Sequence, residues 1–165
     1  FSITYDVPNT NKTEIFKRLT DFTQQQLIKG ENALPQCRIV ENDEANGLLA
    51  ARIEEYLYFK KKAWVTHRTR FFYDVIYQVE DNKFTVSLQR LHYIYEPEET
   101  PNDKLQDYRA EDWITDANAL NPKGQLTRMA GKFRRFTIDR KNEIFREAAK
   151  AAGAQLKTRT VVVEE

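Results

Sequence analysis

The side chains of this chain that could do chemistry are few, and their spacing argues against catalysis. The only histidines are His67 and His92, and the only cysteine is Cys37. A metal site needs three or four ligands. The strand register described below brings only Glu96 near the histidines, so both read as structural and no metal is expected. Cys37 stands beside Arg38 with no histidine close in sequence, and it reads as a small buried hydrophobe. Ser2 and Ser87 lie in strand-like sequence without the glycine-rich elbow that exposes a nucleophilic serine. Glu54-Glu55 and Glu98-Glu99 are adjacent pairs. Neighbours along a strand point to opposite faces, so Glu54 and Glu55 do not form a carboxylate dyad. Five glycines spread over 165 residues build no phosphate loop. No catalytic residue and no cofactor is expected, and the chain is not expected to be an enzyme.

What the residues do offer is binding chemistry. Arg68, Arg70, Phe72, Tyr93 and Tyr95, with Trp64 beside them, combine rings and guanidiniums in one stretch. Arginine stacked on tyrosine keeps a sheet surface soluble, and the same pairing is enriched at recognition surfaces. A second cluster, Lys132-Phe-Arg-Arg-Phe136, interleaves three cations with two rings. Nucleic-acid platforms are built this way, and so is a half-buried strand whose long side chains reach solvent. The 60–62 lysine run reads as a solvated loop tip.

The first cluster depends on a two-stranded unit over residues 64–95, turning at Asp81-Asn82. Alternation sends Phe71, Tyr73, Val75, Tyr77 and Val79 to one face. Arg68, Arg70, Phe72, Asp74, Ile76 and Gln78 go to the other. A two-residue turn opposes Phe71 to His92, Val75 to Leu88 and Tyr77 to Val86 on the apolar face. It opposes Phe72 to Leu91, Arg70 to Tyr93 and Arg68 to Tyr95 on the amphipathic one. A bulge of one residue would swap these assignments. The apolar face is expected to carry the helices.

Elsewhere, residues 1–7 alternate as a first strand. Asn11 caps a helix in which Ile15, Leu19, Phe22 and Gln26, flanked by Phe16 and Leu27, recur at helical spacing through Lys29. Gly30 is expected to end it in a left-handed conformation. Residues 37–41 and 48–59 read as strands, and 96–101 as the stop of the hairpin. Trp113 and Ile114 read as a loop anchor, and residues 121–124 as a turn. A last helix is expected from Thr137, as N-cap, to Ala152, with Gly153 closing it. The 160–165 tail reads as a frayed end or an added edge strand. The domain is expected to span 1–153, with a core of 1–95 and an extension of 96–153; 154–165 is a tail.

Composition sets the outer bounds. Hydrophobic residues are 41% and charged residues 31%, which suits a globular domain with a real core. Lys and Arg number 26 against 25 Asp and Glu, so nucleic acid is disfavoured as a partner. One thiol forms no disulfide within the chain and fits either the cytosol or a disulfide-free envelope protein. No apolar run reaches membrane-spanning length.

The order of elements over residues 1–95, with the segment EDWITDANALNPKGQLTRMAGKFRRFTIDRKNEIF at 111–145, resembles a bacterial family of domains of unknown function with a TATA-binding-protein-like fold. The resemblance implies an α+β fold with an open antiparallel sheet and helices packed on one face. It also implies exported, envelope-associated proteins made with a signal peptide. A periplasmic or cell-envelope localisation follows as an expectation, with any membrane attachment through a removed lipoprotein signal. The resemblance implies no chemistry, and a shared fold is no ground for DNA binding.

The expected function is therefore a non-enzymatic envelope module. It binds a protein, glycan or small ligand on its open sheet face through Arg68, Arg70, Phe72, Tyr93 and Tyr95. A structural or oligomerisation subunit is the alternative, and a nucleic-acid domain using Lys132, Arg134 and Arg135 is a weaker one.

Overall fold

The computed structural model describes residues 1–61, 66–95, 106–109, 128–156 and 162–163, the side chains of 59–61, 66–67, 95, 106–109, 128–130 and 162–163 excepted. Trp64, Lys62 of the 60–62 lysine run, the 96–101 stop, the Trp113–Ile114 anchor and the 121–124 turn lie outside the described residues. Lys60 and Lys61, expected in a loop tip, pair with His67 and Thr66 as the end of a strand instead.

The chain runs β1 (Ser2–Asp6), α1 (Lys12–Phe22), a π-helical turn (Thr23–Ile28), β2 (Arg38–Asp43), β3 (Leu48–Lys61), β4 (Thr66–Glu80), β5 (Lys83–Tyr95), β6 (Gln106–Arg109), α2 (Arg128–Ala152) and β7 (Val162–Val163). The strands form one antiparallel sheet in the order β2-β3-β4-β5-β1-β7, and β6 pairs with β5 beyond the end of β1. Of the two readings of the tail, the added edge strand holds: Ile3 pairs with Val162 and Ser2 with Val163.

Strand parity in β4 follows the alternation of its sequence. Phe71, Tyr73, Val75, Tyr77 and Val79 are buried, while Arg68, Arg70, Phe72 and Ile76 are half-buried and Gln78 is exposed. Leu49, Ala51, Ile53 and Leu57 of β3 join the buried set. Both described helices pack on this side. Thr23 Oγ1 donates to the Tyr77 hydroxyl at 2.9 Å, and the Phe133 ring of α2 lies 4.8 Å from that of Tyr93.

The β4–β5 register is the expected one near the turn, with Tyr77 opposite Val86 and Val75 opposite Leu88. Farther along it shifts. Asp74 pairs with Gln89 but Phe72 pairs with His92, so Tyr73 opposes both Arg90 and Leu91 and β5 carries a bulge. Arg90 accommodates the extra residue at φ 53. Beyond the bulge every β5 side chain changes face. Phe71 opposes Tyr93, Arg70 opposes Ile94, and Thr69 opposes Tyr95. The expected outward placement of Tyr93 is thus overturned: it is fully buried under α2, where its hydroxyl hydrogen-bonds that of Thr137. Tyr95 pairs with buried Thr69 rather than with Arg68, and its side chain lies outside the described ones.

Both helices also depart from their expected limits. Asn11 caps α1 as anticipated, its Oδ1 accepting from Glu14 N at 2.9 Å. At Thr23 the winding loosens into the π-helical turn. One extra residue per turn rotates the apolar stripe, so Thr23 and Leu27 are buried while Gln26, expected on the stripe, is exposed. Gly30 does not adopt a left-handed conformation. A Cβ there would stand 2.6 Å from the Gln26 carbonyl oxygen, so its role is to make room. Gly153 does close α2 with φ 80. That helix begins at Arg128, nine residues before Thr137, and Thr137 is a buried mid-helix residue instead of a cap.

The buried phenols give the fold a predictable alkaline limit. Burial holds the Tyr73 and Tyr77 hydroxyls above their ordinary pKa, whereas in the unfolded chain they ionise near pH ~10. A folded-state pKa raised in this way leaves stability intact below about pH 10. As pH rises toward the folded values, each of these tyrosines removes up to roughly 1.4 kcal/mol per pH unit. Urea unfolding at pH 8, 10 and 11 measures this; equal midpoints at all three would contradict it.

Candidate functional site

The face of the sheet opposite the two described helices carries its polar chemistry in rows across β3, β4 and β5. Arg52, Asp74 and Gln89 form one row, Glu54, Phe72 and His92 the next, and Tyr56, Arg70 and Ile94 the third. The bulge creates the middle row, since it alone turns His92 outward. His92 then stacks on Phe72 with ring centroids 4.4 Å apart and planes 7° from parallel. Its Nδ1 lies 3.1 Å from the Arg90 carbonyl oxygen. That oxygen only accepts, so Nδ1 carries the proton in this bond.

Between these rows and the edge strand lies a concavity of about 420 Å³, lined by Gln36, Arg38, Arg52, Glu54, Phe72, Asp74, Arg90 and His92. Asp74 is only 8% exposed although it stands on the outer face. Two guanidiniums cover it: Arg52 Nε is 3.2 Å from Oδ1 and Arg90 Nε is 3.8 Å from Oδ2. The Arg90 backbone lies in the left-handed region, which costs a residue with a side chain about 1–3 kcal/mol. Farther up the face, the Arg68 guanidinium sits 3.8 Å over the Tyr56 ring.

Of the residues expected to form a site, Arg68, Arg70 and Phe72 do lie on this face, and Tyr93 does not. Arg68 stacks on Tyr56 of β3. Reasoning from the sequence missed Arg38, Arg52, Arg90 and His92. For Arg90 and His92 the signal was the doubled polar pair Gln89-Arg90, which interrupts the alternation Phe84, Val86, Leu88 and restarts it at Leu91 and Tyr93. Between Arg52 and Arg68 the described side chains then include five guanidiniums (Arg38, Arg52, Arg68, Arg70 and Arg90) against two carboxylates (Glu54 and Asp74). The whole chain, by contrast, carries a net charge of +1.

Lys132, Arg134 and Arg135 lie on the first half of α2, not on a strand. Phe133 is fully buried in the core, and the Arg135 guanidinium lies 5.1 Å from the Phe136 ring. This segment offers no open ring platform of the kind that stacks bases.

A second cleft, of about 450 Å³, lies between α2, the π-helical turn and β3. At its base Arg140 donates from Nε and Nη2 to Glu55 Oε1 and Oε2 at 2.7 and 2.9 Å. Burial alone would lower the Arg140 pKa. The hydrogen bond and charge of Glu55 outweigh it and leave the group above its ordinary value. A pair satisfied so completely reads as a tie between helix and sheet. Glu54, its neighbour, faces the opposite side, as strand alternation requires.

Cys37 is buried. Burial holds its thiol above the usual pKa, and its Sγ lies 3.2 Å from the Glu54 carbonyl oxygen. Among the described residues no three of His, Cys, Asp or Glu are grouped to hold a metal ion. No described helix is long and apolar enough to cross a membrane.

Residues 1–94 match the family described as a domain of unknown function (DUF4468) with TBP-like fold. The chain belongs to this family. A solved structure of a DUF4468 family protein from Bacteroides ovatus ATCC 8483 is 31% identical, with a TM-score of 0.80 over 96% of this chain and 88% of that one. A TBP-like protein from Parabacteroides distasonis ATCC 8503 is 20% identical, with a TM-score of 0.74 over 94% of this chain and 93% of that one; at that identity the likeness shows the fold alone. No curated protein matches. The TBP-like α+β architecture expected from the sequence is therefore the observed one, and in this DUF4468 chain the extension through α2 and β7 packs onto it.

Proposed function

We propose that the chain is a non-catalytic, envelope-associated binding module that takes a protein, glycan or small ligand on the outer face of its sheet. The observation that carries this reading is the concavity at the β5 bulge. There a residue in a disfavoured backbone conformation, Arg90, turns His92 out to meet Phe72 and places a third guanidinium beside Arg38 and Arg52. Strained backbone of this kind, and bulges that re-aim side chains, concentrate where proteins bind. The concavity also has the size of a small-ligand pocket.

A fragment screen on the isotopically labelled chain tests the site. Amide shifts should cluster at Arg52, Phe72, Asp74 and His92. Shifts confined to the cleft at Glu55 and Arg140, or none from any fragment, would defeat it. The envelope assignment rests on the family resemblance. Fractionation of cells making the full-length precursor tests it, and recovery with the cytosol would count against it.

A further inference from the structure

The walls of the concavity narrow the chemistry of what it holds. One wall is the Phe72–His92 ring pair, stacked nearly parallel, which supplies aromatic carbon surface. The opposite side is cationic. Arg52 donates from Nε to Asp74 at 3.2 Å, and the Arg90 guanidinium stands 3.8 Å from the same carboxylate, so one carboxylate draws two guanidiniums to one place. An approach through Nε engages one edge of the guanidinium fork and leaves N–H donors on the η nitrogens. The Arg52 and Arg90 side chains are 47% and 75% exposed, so those donors are open to solvent. Arg38 adds a third cation from β2, where it pairs in register with Arg52. Of the two carboxylates in the lining, Asp74 is already committed to both arginines, which leaves the cations in excess.

We infer, granting that the outer face is the binding face, that the concavity takes a carboxylate joined to a flat apolar group. The ring lies against the Phe72–His92 pair, and the carboxylate meets the outward η N–H groups of Arg52 and Arg90, on the side away from Asp74. Fork-shaped guanidiniums match a planar carboxylate with paired hydrogen bonds, and the Asp74 hydrogen bond has already restricted Arg52, so less freedom is lost on binding. A small aromatic acid and the free C-terminal end of a peptide with a terminal aromatic residue share this chemistry.

Calorimetric titration with 2-naphthoate and its neutral counterpart 2-naphthamide, combined with amide-shift mapping, tests the inference. The acid is expected to bind at least tenfold more tightly than the amide, and Arg52→Gln or Arg90→Gln to weaken the acid about tenfold each while leaving the amide unchanged. Acetyl-Gly-Phe with a free and with an amidated C-terminus forms the second arm. Tighter binding of its free acid than of naphthoate identifies a chain end as the source, and the reverse identifies a small acid; either order supports the shared chemistry. If acid and amide bind equally at outer-face residues, or the arginine variants bind the acid as wild type does, the carboxylate is wrong and the binding face stands. If no probe shifts any outer-face residue, the face itself is wrong.

Discussion

Truncating Tyr93 to alanine should lower the unfolding free energy by about 3–5 kcal/mol, the range for removing a buried aromatic ring. The ring is fully buried, stacked 5.4 Å from Phe71 and packed 4.8 Å from Phe133. Tyr93→Phe should cost less, about 1–3 kcal/mol, because it leaves the buried Thr137 hydroxyl without its partner. Neither effect belongs to a surface contact. Urea unfolding of the two variants measures both costs, and titration of Tyr93→Phe with 2-naphthoate should return the wild-type affinity. A Tyr93→Ala variant as stable as wild type would place the ring outside the core.

Tyr93 also shows how far the sequence was legible. Parity in β4 could be read directly, because Phe71, Tyr73, Val75, Tyr77 and Val79 recur at every second position without interruption and all five face the helices. The same alternation in β5 broke at Gln89-Arg90. A continuous register carried across that break assigned Tyr93 to the wrong face and hid His92 and Arg90. The helix error has a similar origin. Thr137 is a good N-cap by type, but its hydroxyl is taken by Tyr93, a partner 44 residues away that no local rule supplies. Arg38 and Arg52 reach the site only through β2–β3 pairing, which alternation within a single strand does not specify. By contrast, the Asn11 cap, the Asp81-Asn82 turn and the Gly153 stop are local signals, and each is found where the residues placed it.

Glu55→Ala should be comparably costly, about 3–5 kcal/mol, for an electrostatic reason. The Glu55 side chain is 4% exposed and that of Arg140 22%. Losing the carboxylate leaves a guanidinium poorly hydrated against the sheet, with the more exposed Glu143, at 3.2 Å, still beside it among the described residues. Tyr73 lies in the field of the same pair, and its buried hydroxyl has no hydrogen-bond partner among the described residues. The double replacement Glu55→Leu with Arg140→Met should recover most of the loss, since a well-packed apolar pair often matches a buried ion pair. A double-mutant cycle in urea reads the coupling directly. Additive losses from the two single variants would mean that the pair does not tie α2 to β3.

The bulge at Arg90 is proposed to build a binding site on the outer face of the sheet. A crystal structure of the chain with bound 2-naphthoate tests it most directly. The expected result places the ring against Phe72 and His92 with its carboxylate within hydrogen-bond distance of Arg52 and Arg90. A ligand seated instead in the cleft beside Glu55 and Arg140, with the outer concavity empty, would contradict it.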